Sequence, residues 1–518
     1  MTHQMNGAQT LIQTLCDAGV NVCFANPGTS EMHFVAALDT VPSMRGVLTL
    51  FEGVATGAAD GYGRMAGKPA ATLLHLGPGL ANGLANLHNA MRARTPIVNV
   101  VGDHATYHKK YDAPLESDVE AYARPVSAWI RSSQSATAVA SDAADAVAAA
   151  MGPPGGIASL ILPADVSWLP AERPAVSHAL KPRSAVAGSK IDAAKRALQS
   201  GQKCALLLGG STLLAPGLMA ASRISEKTSA KLVCDTFPAR LDRGAGLPNP
   251  ERLAYLAEMT VMQLDGIAHL ILVDSKAPVS FFAYPGKPSY LVPDGCEVHV
   301  LADHAEDGVG ALEALCDALG AKGTAPKLET AQRPVLATGV LSSESIARTI
   351  GALLPDGAVV SDEGNTAGLF VPFLTNGAPQ HSWLCLTGGA IGQGMPVATG
   401  AAIACPGRKV INLQADGSAM YTAQALWTQA RELLDVTTVV FANRSYAILN
   451  MELSRVGATP PGPKALSMLD LSNPVIDFAA LARSVGVDGQ RVTTAEDFTR
   501  AFGAAMSEPG PHLIECVI

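Results

Sequence analysis

The residues whose types and spacing could do chemistry lie in the C-terminal third of the chain. An apolar run, VINLQA, ends at Asp416, and 27 positions later (443 minus 416) a second apolar run, TTVVFA, ends at Asn443. Parallel strands that are joined by a helix bring their carboxyl ends to one edge of a sheet. Side-chain oxygens of Asp416 and Asn443, with the Ser445 carbonyl, could then bind one Mg²⁺, which prefers oxygen ligands. The N–H groups of Gly417 and Ser418 would favour a bound anion at the start of the next helix.

The same spacing is also typical of two ordinary turns. Asp is a common residue at the first position of a helix, and Asn is common in turns. The spacing alone therefore leaves a metal-bound diphosphate and two structural turns open.

Three blocks of alternating apolar strands and helical patterns must position these residues. We place them at residues 1–170, 188–328 and 340–518, with linkers rich in Pro and Ala between them. Such alternation predicts three α/β domains with parallel sheets. The first and third blocks share a plan of strand, Gly turn, Ala-rich helix and strand, although any two such units look alike.

The bulk composition bounds the class of protein. Of the 518 residues, 48% are hydrophobic but only 5% are aromatic, as expected for buried parallel strands and helices with small faces. Only 16% are charged, which favours burial of much surface between subunits, and the net charge of -8 argues against nucleic acid as a partner.

The sequence also indicates a location. Its start lacks a basic region followed by an apolar core, and no run of about 18 apolar residues predicts a membrane span. The nine cysteines include no CxxC pair, as expected for reduced thiols. We therefore expect a cytoplasmic protein that does not contact membranes.

A set of neighbouring motifs gives the C-terminal pattern a family resemblance. The Asp416 turn with its later Asn resembles the diphosphate-binding motif of thiamine diphosphate enzymes, with Ala415 in place of the usual first Gly. DEGNTAG looks like that family's other phosphate-contacting turn, which implies Asn365 and Thr366 as cofactor contacts. Tyr446, directly after the second metal turn, is assigned to the cofactor by the same match.

A Gly-rich segment, TGGAIGQGMPVATG, resembles the part of the family that surrounds the pyrimidine of the cofactor. The resemblance implies Ile391 as the apolar wedge that bends the cofactor, and the Gly389 carbonyl as the group facing its exocyclic amine. The alternative is a tight turn with close helix packing.

The first block is expected to supply an acid. LTLFEGVATGAADGYGRMAGKPA resembles the stretch that holds the family's glutamate, which maps to Glu52. A carboxyl bonded to the pyrimidine ring nitrogen favours the imino tautomer, whose nitrogen can remove the thiazolium proton. The alternative is a Glu that simply favours the positive start of a helix.

The matches span the whole chain in the domain order of acetohydroxyacid synthases, pyruvate oxidases and benzoylformate decarboxylases. In such enzymes the first domain of one subunit faces the third domain of another. The resemblance thus implies a homo-oligomer with its active site at the subunit interface, and it leaves dimer and tetramer open.

Two motifs point to decarboxylase chemistry. ANPGTSE is similar to a loop of benzoylformate decarboxylase and places Thr29 where a substrate-contacting Ser would lie. LLHLGPG places His75 at the position where that family has a catalytic His. An imidazole there can hold a carboxylate and relay protons, because it titrates near neutrality. The alternative is a hydrogen-bonded His at a strand end.

The expected substrate pocket departs from that decarboxylase. KAPVSFFAYPGKPS has no second histidine and offers Phe281 and Phe282 instead, which leaves room for carboligation to an aldehyde or a second oxo acid. These side chains could also be a lid or part of a core. His104, in HATYHKK, could contact an anionic substrate, although a solvated basic loop explains it equally well.

The sequence therefore predicts a thiamine diphosphate- and Mg²⁺-dependent decarboxylase or carboligase, a lyase acting on a 2-oxo acid. An acetolactate synthase-type transferase is a rival, weakened because ANRSYAILNMEL lacks a Gln-Trp-Gln-type segment. A cofactor-binding partner subunit without activity is a second rival. FAD is not supported, since LLLGGST is not followed by a GxGxxG pattern, although oxidases of the family bind FAD without that pattern.

Overall fold

The computed structural model describes residues 4–458 and 460–518. These residues fold into α/β units around three sheets, which are parallel except for one strand pairing in the third sheet. This architecture confirms the predicted fold class.

The first sheet has six parallel strands in the order β2-β1-β3-β4-β6-β5. Its strands are β1 (Val22–Ala25), β2 (Arg45–Leu48), β3 (Ala70–Leu74), β4 (Ile97–Asp103), β5 (Trp129–Ser132) and β6 (Ile157–Pro163). Every residue of β3, β4 and β6 is buried, because helices cover both faces of the central strands. The crossover reverses direction between β1 and β3, so a crevice is expected beyond their carboxyl ends.

The second sheet has five parallel strands in the order β10-β8-β7-β11-β12. Its strands are β7 (Cys204–Leu208), β8 (Lys231–Cys234), β10 (Glu251–Arg252), β11 (His269–Val273) and β12 (Glu297–Ala302). The short strand β9 (Leu241–Arg243) belongs to the middle block in sequence, but it pairs antiparallel with β14 of the third sheet. The middle block is thus joined to the third block by a strand that the sequence did not predict.

The third sheet repeats the plan of the first. Its strands after β9 are β13 (Val359–Glu363), β14 (His381–Cys385), β15 (Val410–Ala415), β16 (Val436–Ala442), β17 (Asp488–Val492) and β18 (His512–Val517). Their order is β14-β13-β15-β16-β18-β17, which is the order of the first sheet strand for strand. The internal similarity seen in the sequence is therefore a shared topology, with a second switch point between β13 and β15.

Twenty helices connect these strands in the described part of the chain. They are α1 (Gly7–Asp17), α2 (Met32–Ala37), α3 (Glu52–Ala66), α4 (Leu76–Ala93), α5 (Val119–Ala123), α6 (Val139–Met151), α7 (Ala164–Trp168), α8 (Gly188–Leu198), α9 (Ala215–Thr228), α10 (Ala257–Gln263), α11 (Gly308–Ala318), α12 (Ser343–Leu353), α13 (Val371–Leu374), α14 (Gly394–Ala404), α15 (Asp416–Ala419), α16 (Ala425–Arg431), α17 (Ala447–Arg455), α18 (Pro463–Ser467), α19 (Phe478–Ser484) and α20 (Ala495–Ser507). None of the helices described is both long and apolar enough to cross a membrane.

Helices α3 and α14 join the first and third sheets within one chain. A Cβ on Gly61 would lie 2.1 Å from the Val397 carbonyl oxygen, and one on Gly400 would lie 1.8 Å from the Ala58 carbonyl oxygen. Only glycine allows two helix backbones to approach so closely. Close helix packing, the alternative reading of the Gly-rich segment, therefore does hold at Gly400.

Candidate active site

Four neighbouring strand ends of the third sheet carry the residues that the sequence assigned to the cofactor. Because β14, β13, β15 and β16 are adjacent and parallel, the segments that follow them meet at one edge. These segments contain Gly389, Asn365, Asp416 and Asn443. The structure thus brings together the C-terminal site residues.

Asp416 and Asn443 form one hydrogen-bonded turn. The Asp416 carboxylate is 4% exposed and accepts the Gly417 N–H on Oδ1 at 2.8 Å and the Arg444 N–H on Oδ2 at 2.6 Å. Asn443 Oδ1 accepts the Ser445 N–H at 3.0 Å. Arg444 has a left-handed φ of +55°, which folds the turn back towards Asp416.

These groups fit a hard divalent cation. Among the residues that the structure describes, each Asp416 oxygen bonds only backbone N–H groups and keeps a free lone-pair direction, since an ionised carboxylate offers about four. Burial raises the pKa of Asp416, against the lowering effect of the Arg444 and Gly417 N–H groups. A bound cation would offset that cost of burial, and oxygen ligands are those that Mg²⁺ prefers.

Gly417 lies under the ring of Tyr446. A Cβ at position 417 would stand 2.4 Å from Tyr446 Cε1, so no larger residue fits without moving the ring. The neighbouring Ser418 hydroxyl is buried, accepts from Gln414 Nε2 at 2.6 Å and donates to the Ala415 carbonyl at 3.1 Å. Ser418 therefore supports the turn with its side chain.

Glu363 fixes the Gly-rich segment, and the sequence analysis did not single it out. Its buried carboxylate accepts the Gly392 N–H on Oε1 and the Gly394 N–H on Oε2, both at 2.6 Å, and Gln414 Nε2 at 2.9 Å. Burial raises its pKa, although these donors act against that rise. Its place in the DEGNTAG motif, directly before Gly364, was the signal that could have found it.

The remaining residues predicted to contact the cofactor line the open side of the same edge. Asn365 is exposed with a φ of +48°, and Thr366 is half-buried beside it. Gly389 is exposed with a φ of +74°, and Ile391 is half-buried. Their positions are compatible with the predicted roles, which stay predictions.

The first sheet carries the second group of candidates, again on four adjacent strand ends. In the order β2, β1, β3 and β4, the segments that follow hold Glu52, Thr29, His75 and His104. The Asn26 N–H donates to the Leu73 carbonyl at 3.3 Å, which holds two of these ends together. His75 lies at the switch point between β1 and β3.

A buried carboxylate orients His75. Glu31 is 1% exposed, and its Oε2 lies 2.8 Å from His75 Nδ1 and accepts the Gly28 N–H at 2.8 Å. Its Oε1 accepts the Ser30 hydroxyl at 2.7 Å. A carboxylate can only accept, so Nδ1 carries the proton and Nε2 is left as the working nitrogen.

Glu31 was missed by the sequence analysis although it closes the ANPGTSE motif. The loop permits its burial because a Cβ on Gly102 would lie 1.6 Å from Glu31 Oε1. Thr29, the residue predicted to contact substrate, is exposed at the start of a short 3-10 turn. The Ser30 hydroxyl, by contrast, lies 3.4 Å from His75 Nδ1.

Glu52 is the first residue of α3 and is 8% exposed. Its Oε2 accepts a hydrogen bond from Asn82 Nδ2 at 3.1 Å. One helical turn further along α4, Asn86 Nδ2 donates to the Gly53 carbonyl at 2.8 Å and contacts the Gly392 carbonyl at 3.4 Å. The start of α3 is therefore tied to the Gly-rich segment of the same chain.

His104 lies at the mouth of the first-sheet crevice. Its Nε2 is buried without a hydrogen-bond partner among the described residues, and its ring centre is 5.3 Å from that of His108. Lys109 is paired with Asp103 at 2.5 Å and so is not simply a solvated cation.

The predicted pocket residues of the middle block lie against α17. The Phe281 ring packs on Phe237 and Tyr255, with centres 5.4 and 4.9 Å apart, while Phe282 is 59% exposed. The Tyr284 hydroxyl donates to Glu452 at 2.7 Å. The segment is therefore attached to the helix that starts directly after Tyr446.

The carboxyl edge of the second sheet is filled by the chain's own ion pairs. The Asp274 carboxylate accepts from Arg183 at 3.0 Å, from His304 at 2.9 Å and from the Ser211 N–H at 3.0 Å. A Cβ on Gly210 would lie 2.2 Å from the same carboxylate. The absence of FAD stays a prediction.

Comparison with known proteins shows that the chain contains two thiamine pyrophosphate-binding domains. The model of the thiamine pyrophosphate enzyme N-terminal TPP binding domain matches residues 5–122, and that of the C-terminal TPP binding domain matches residues 362–516. The first match covers strands β1 to β4 of the first sheet, and the second runs from within β13 to within β18 of the third sheet, so the matches fall on the two sheets that share one topology. The chain belongs to the thiamine pyrophosphate enzyme family, as the resemblance predicted.

Three relatives illustrate the range of the family. A protein of Mycobacterium tuberculosis (strain ATCC 25618 / H37Rv) named "Putative acetolactate synthase large subunit IlvX" is 58% identical over 515 residues, 99% of both chains. Benzoylformate decarboxylase of Pseudomonas aeruginosa is 28% identical and covers 96% of both chains. The structure of Rhodococcus jostii RHA1 thiamine diphosphate-dependent 4-hydroxybenzoylformate decarboxylase matches 99% of both chains with a TM-score of 0.87 at 24% identity, which supports the fold.

Proposed function

We propose that the protein is a thiamine diphosphate- and Mg²⁺-dependent decarboxylase of a 2-oxo acid, which releases an aldehyde or transfers the decarboxylated unit to an aldehyde acceptor. The observation that carries this proposal is the His75–Glu31 pair at the switch point of the first sheet. Thiamine diphosphate, when bound, supplies the electron sink for loss of CO₂.

His75 is the residue that binds the substrate carboxylate and transfers the proton. With Nδ1 held 2.8 Å from Glu31, Nε2 is free to donate to a carboxylate when protonated, and to move a proton at the reacting carbon. The buried Glu31 carboxylate stabilises the charged imidazole while it holds that proton. A histidine that served only to end a strand would not need a buried acid.

The third-sheet crevice would hold the cofactor. Asp416, Asn443 and the Ser445 carbonyl would be the Mg²⁺ ligands, and Gly417 with Tyr446 would form the adjoining wall. Glu52 would hold the pyrimidine ring nitrogen through its carboxyl and so favour the imino form. Of all these residues, only Glu52 comes from the first sheet.

We propose that two copies of the chain complete the site, although within one chain the start of α3 is already tied to the Gly-rich segment. Large apolar side chains are exposed directly beside both groups of candidates: Leu50 is 49% exposed near Glu52, while Met420 and Tyr421, just after Ser418, are 46% and 52% exposed. Exposed apolar side chains that cluster around a crevice favour a protein partner. A second copy that placed its first sheet against this third sheet would bury them.

A second candidate function is synthesis of acetolactate. It is favoured by the name of the relative that is 58% identical. It is also favoured by Phe281 and Phe282, which stand where the related decarboxylase has a second histidine to protonate its product. When pyruvate is the substrate, a decarboxylase releases an aldehyde and a synthase forms acetolactate, so the product distinguishes the two functions.

The experiment combines the protein, thiamine diphosphate and Mg²⁺ with a panel of aliphatic and aromatic 2-oxo acids, with and without an aldehyde. We expect CO₂ with an aldehyde or a hydroxyketone. Acetolactate from pyruvate alone would transfer the assignment to the synthase. Cofactor binding without turnover of any acid would overturn the catalytic proposal and favour a non-catalytic partner subunit.

The role of Glu52 is tested separately. Glu52→Gln keeps a hydrogen-bonding group but removes the acid, so cofactor affinity measured by calorimetry should persist while turnover falls about a hundredfold or more. Turnover that stays within about twofold of the unmodified protein would show that Glu52 is not the activating acid.

A further inference from the structure

A second cluster of metal-binding side chains lies on the middle sheet. His269 begins β11, and Glu297 and His299 lie on the edge strand β12. One ligand atom from each of these three residues lies within 4.8 Å of the other two. The cluster belongs to neither crevice, since it stands at the amino ends of its strands and both crevices lie at carboxyl ends.

The register of the two strands creates the cluster. His269 is paired with Glu297, and Ile271 is paired with His299, so the three side chains share one face of the sheet. Helix α8 packs on this face and leaves each imidazole 13% exposed, while the Glu297 side chain is 66% exposed. The cluster is thus a half-enclosed pocket that opens to solvent on the carboxylate side.

The distances match the face of a tetrahedral coordination sphere. His269 Nδ1 is 3.1 Å from His299 Nε2, 3.6 Å from one Glu297 oxygen, and His299 Nε2 is 3.8 Å from the other oxygen. Ligands about 2.0–2.1 Å from a tetrahedral Zn²⁺ are roughly 3.3 Å apart. Small rotations of the exposed Glu297 would therefore close the triangle around one ion.

The surroundings of His299 favour a neutral ring. Burial lowers the pKa of His299, Glu297 opposes that shift, and His269 and Arg196 add to it. A neutral imidazole keeps the lone pair that a metal needs. The positive charge of Arg196, in the last turn of α8, disfavours a bound cation, but it also disfavours protonation of the His299 ring.

We propose that His269, Glu297 and His299 bind one late first-row divalent metal of the Zn²⁺ class, with water in the remaining position. Imidazole ligands select Zn²⁺, Co²⁺, Ni²⁺ or Cu²⁺ over Mg²⁺, so this site and the oxygen-lined Asp416 turn take different ions. The metal joins the edge strand β12 to β11 and stabilises the middle domain. The proposal does not depend on the proposed function.

Co²⁺ is the probe, because tetrahedral Co²⁺ has an intense visible absorption, whereas octahedral Co²⁺ absorbs only weakly and Mg²⁺ does not absorb. The full-length protein is treated with chelator, supplied with excess Mg²⁺ to fill the oxygen-ligand site, and titrated with Co²⁺. We expect about one tetrahedral Co²⁺ per chain and its displacement by Zn²⁺. Zn²⁺ should also raise the Tm of the protein.

Two variants and a matched control decide the assignment. His299→Ala and Glu297→Gln should each weaken Co²⁺ binding by at least about tenfold and abolish the Zn²⁺-dependent rise in Tm. His512 is the control, because it is paired with Asp488 across two parallel strands at 3.6 Å and is 12% exposed. His512→Ala should therefore leave Co²⁺ binding unchanged.

The outcomes separate a metal site from a hydrogen-bonded pair of histidines. A missing tetrahedral absorption, or equal Co²⁺ affinity in His299→Ala and the unmodified protein, would overturn the proposal. Equal loss in His512→Ala would do the same, since it would mean non-specific binding. The circular dichroism spectrum of each metal-free variant shows whether it is folded.

Discussion

Glu31→Gln is the change that tests how His75 works. Glutamine has nearly the size of glutamate, so the packing against Gly102 is retained. Its amide oxygen can still accept the Gly28 N–H and the His75 Nδ1–H, while its NH₂ faces the Ser30 hydroxyl, which can accept. The substitution thus removes the negative charge and leaves the hydrogen-bond pattern almost intact.

The magnitude follows from the loss of a charge-assisted bond. Hydrogen bonds to charged groups contribute about 1.5–3 kcal/mol, against about 0.5–1.5 kcal/mol for neutral ones. The difference of about 1–1.5 kcal/mol corresponds to a roughly tenfold lower kcat/KM, because 1.4 kcal/mol is about a factor of ten. His75→Ala removes the acid–base group itself and should cost about 10²–10⁴-fold.

The assay is decarboxylation of the 2-oxo acid that is turned over fastest, measured for both single variants and the double variant. If Glu31 acts through His75, Glu31→Gln should have little further effect once His75 is alanine. Asp142→Asn is the matched control. Asp142 is a buried carboxylate of the same domain that accepts from Ser133 at 2.7 Å beside the far edge strand β5, so its loss should lower Tm and spare kcat/KM.

The reasoning would be refuted by additivity. If Glu31→Gln slowed the His75→Ala protein by the same factor as the unmodified protein, the carboxylate would act on the fold or on another group. A kcat/KM within about twofold of the unmodified value in Glu31→Gln alone would contradict the charge argument.

Three further predictions concern the third and second sheets. Gly417→Ala places a methyl group against the Tyr446 ring, and we expect about tenfold weaker thiamine diphosphate binding by calorimetry, with Gly188→Ala, which meets no atom within 4 Å, as the neutral control. Glu363→Gln turns an NH₂ towards one of two buried backbone N–H donors, so a cost of about 1–3 kcal/mol should appear as a lower Tm and weaker cofactor binding; an unchanged Tm would contradict it. Burial raises the pKa of Asp235 to about 6, so its ionisation lowers the free energy of unfolding progressively as the pH rises from about 4 to 6. Asp235→Asn should therefore raise Tm more at pH 7 than at pH 5, and the reverse order would refute this.

The sequence by itself determined the elements and the chemical type of most candidates. Apolar runs such as VINLQA and TTVVFA became fully parallel-paired strands, with Asp416 and Asn443 directly beyond their ends. These features depend on neighbours in the chain, whose periodicity and turn residues can be read directly. The same holds for Glu52 at the first position of α3 and His75 at the start of α4.

Only the tertiary structure decided which distant groups touch. Glu31 and His75 are 44 positions apart, and their contact requires β1 and β3 to be neighbours while β2 lies outside them. The same dependence on strand order places Glu363 under the Gly-rich segment and His269 beside His299. The three-residue strand β9 had no periodic signal, because so short a run is stabilised by its partner β14 and not by its own pattern. Local sequence fixes where a strand ends, whereas strand order and close helix contacts, such as that at Gly400, fix which ends meet.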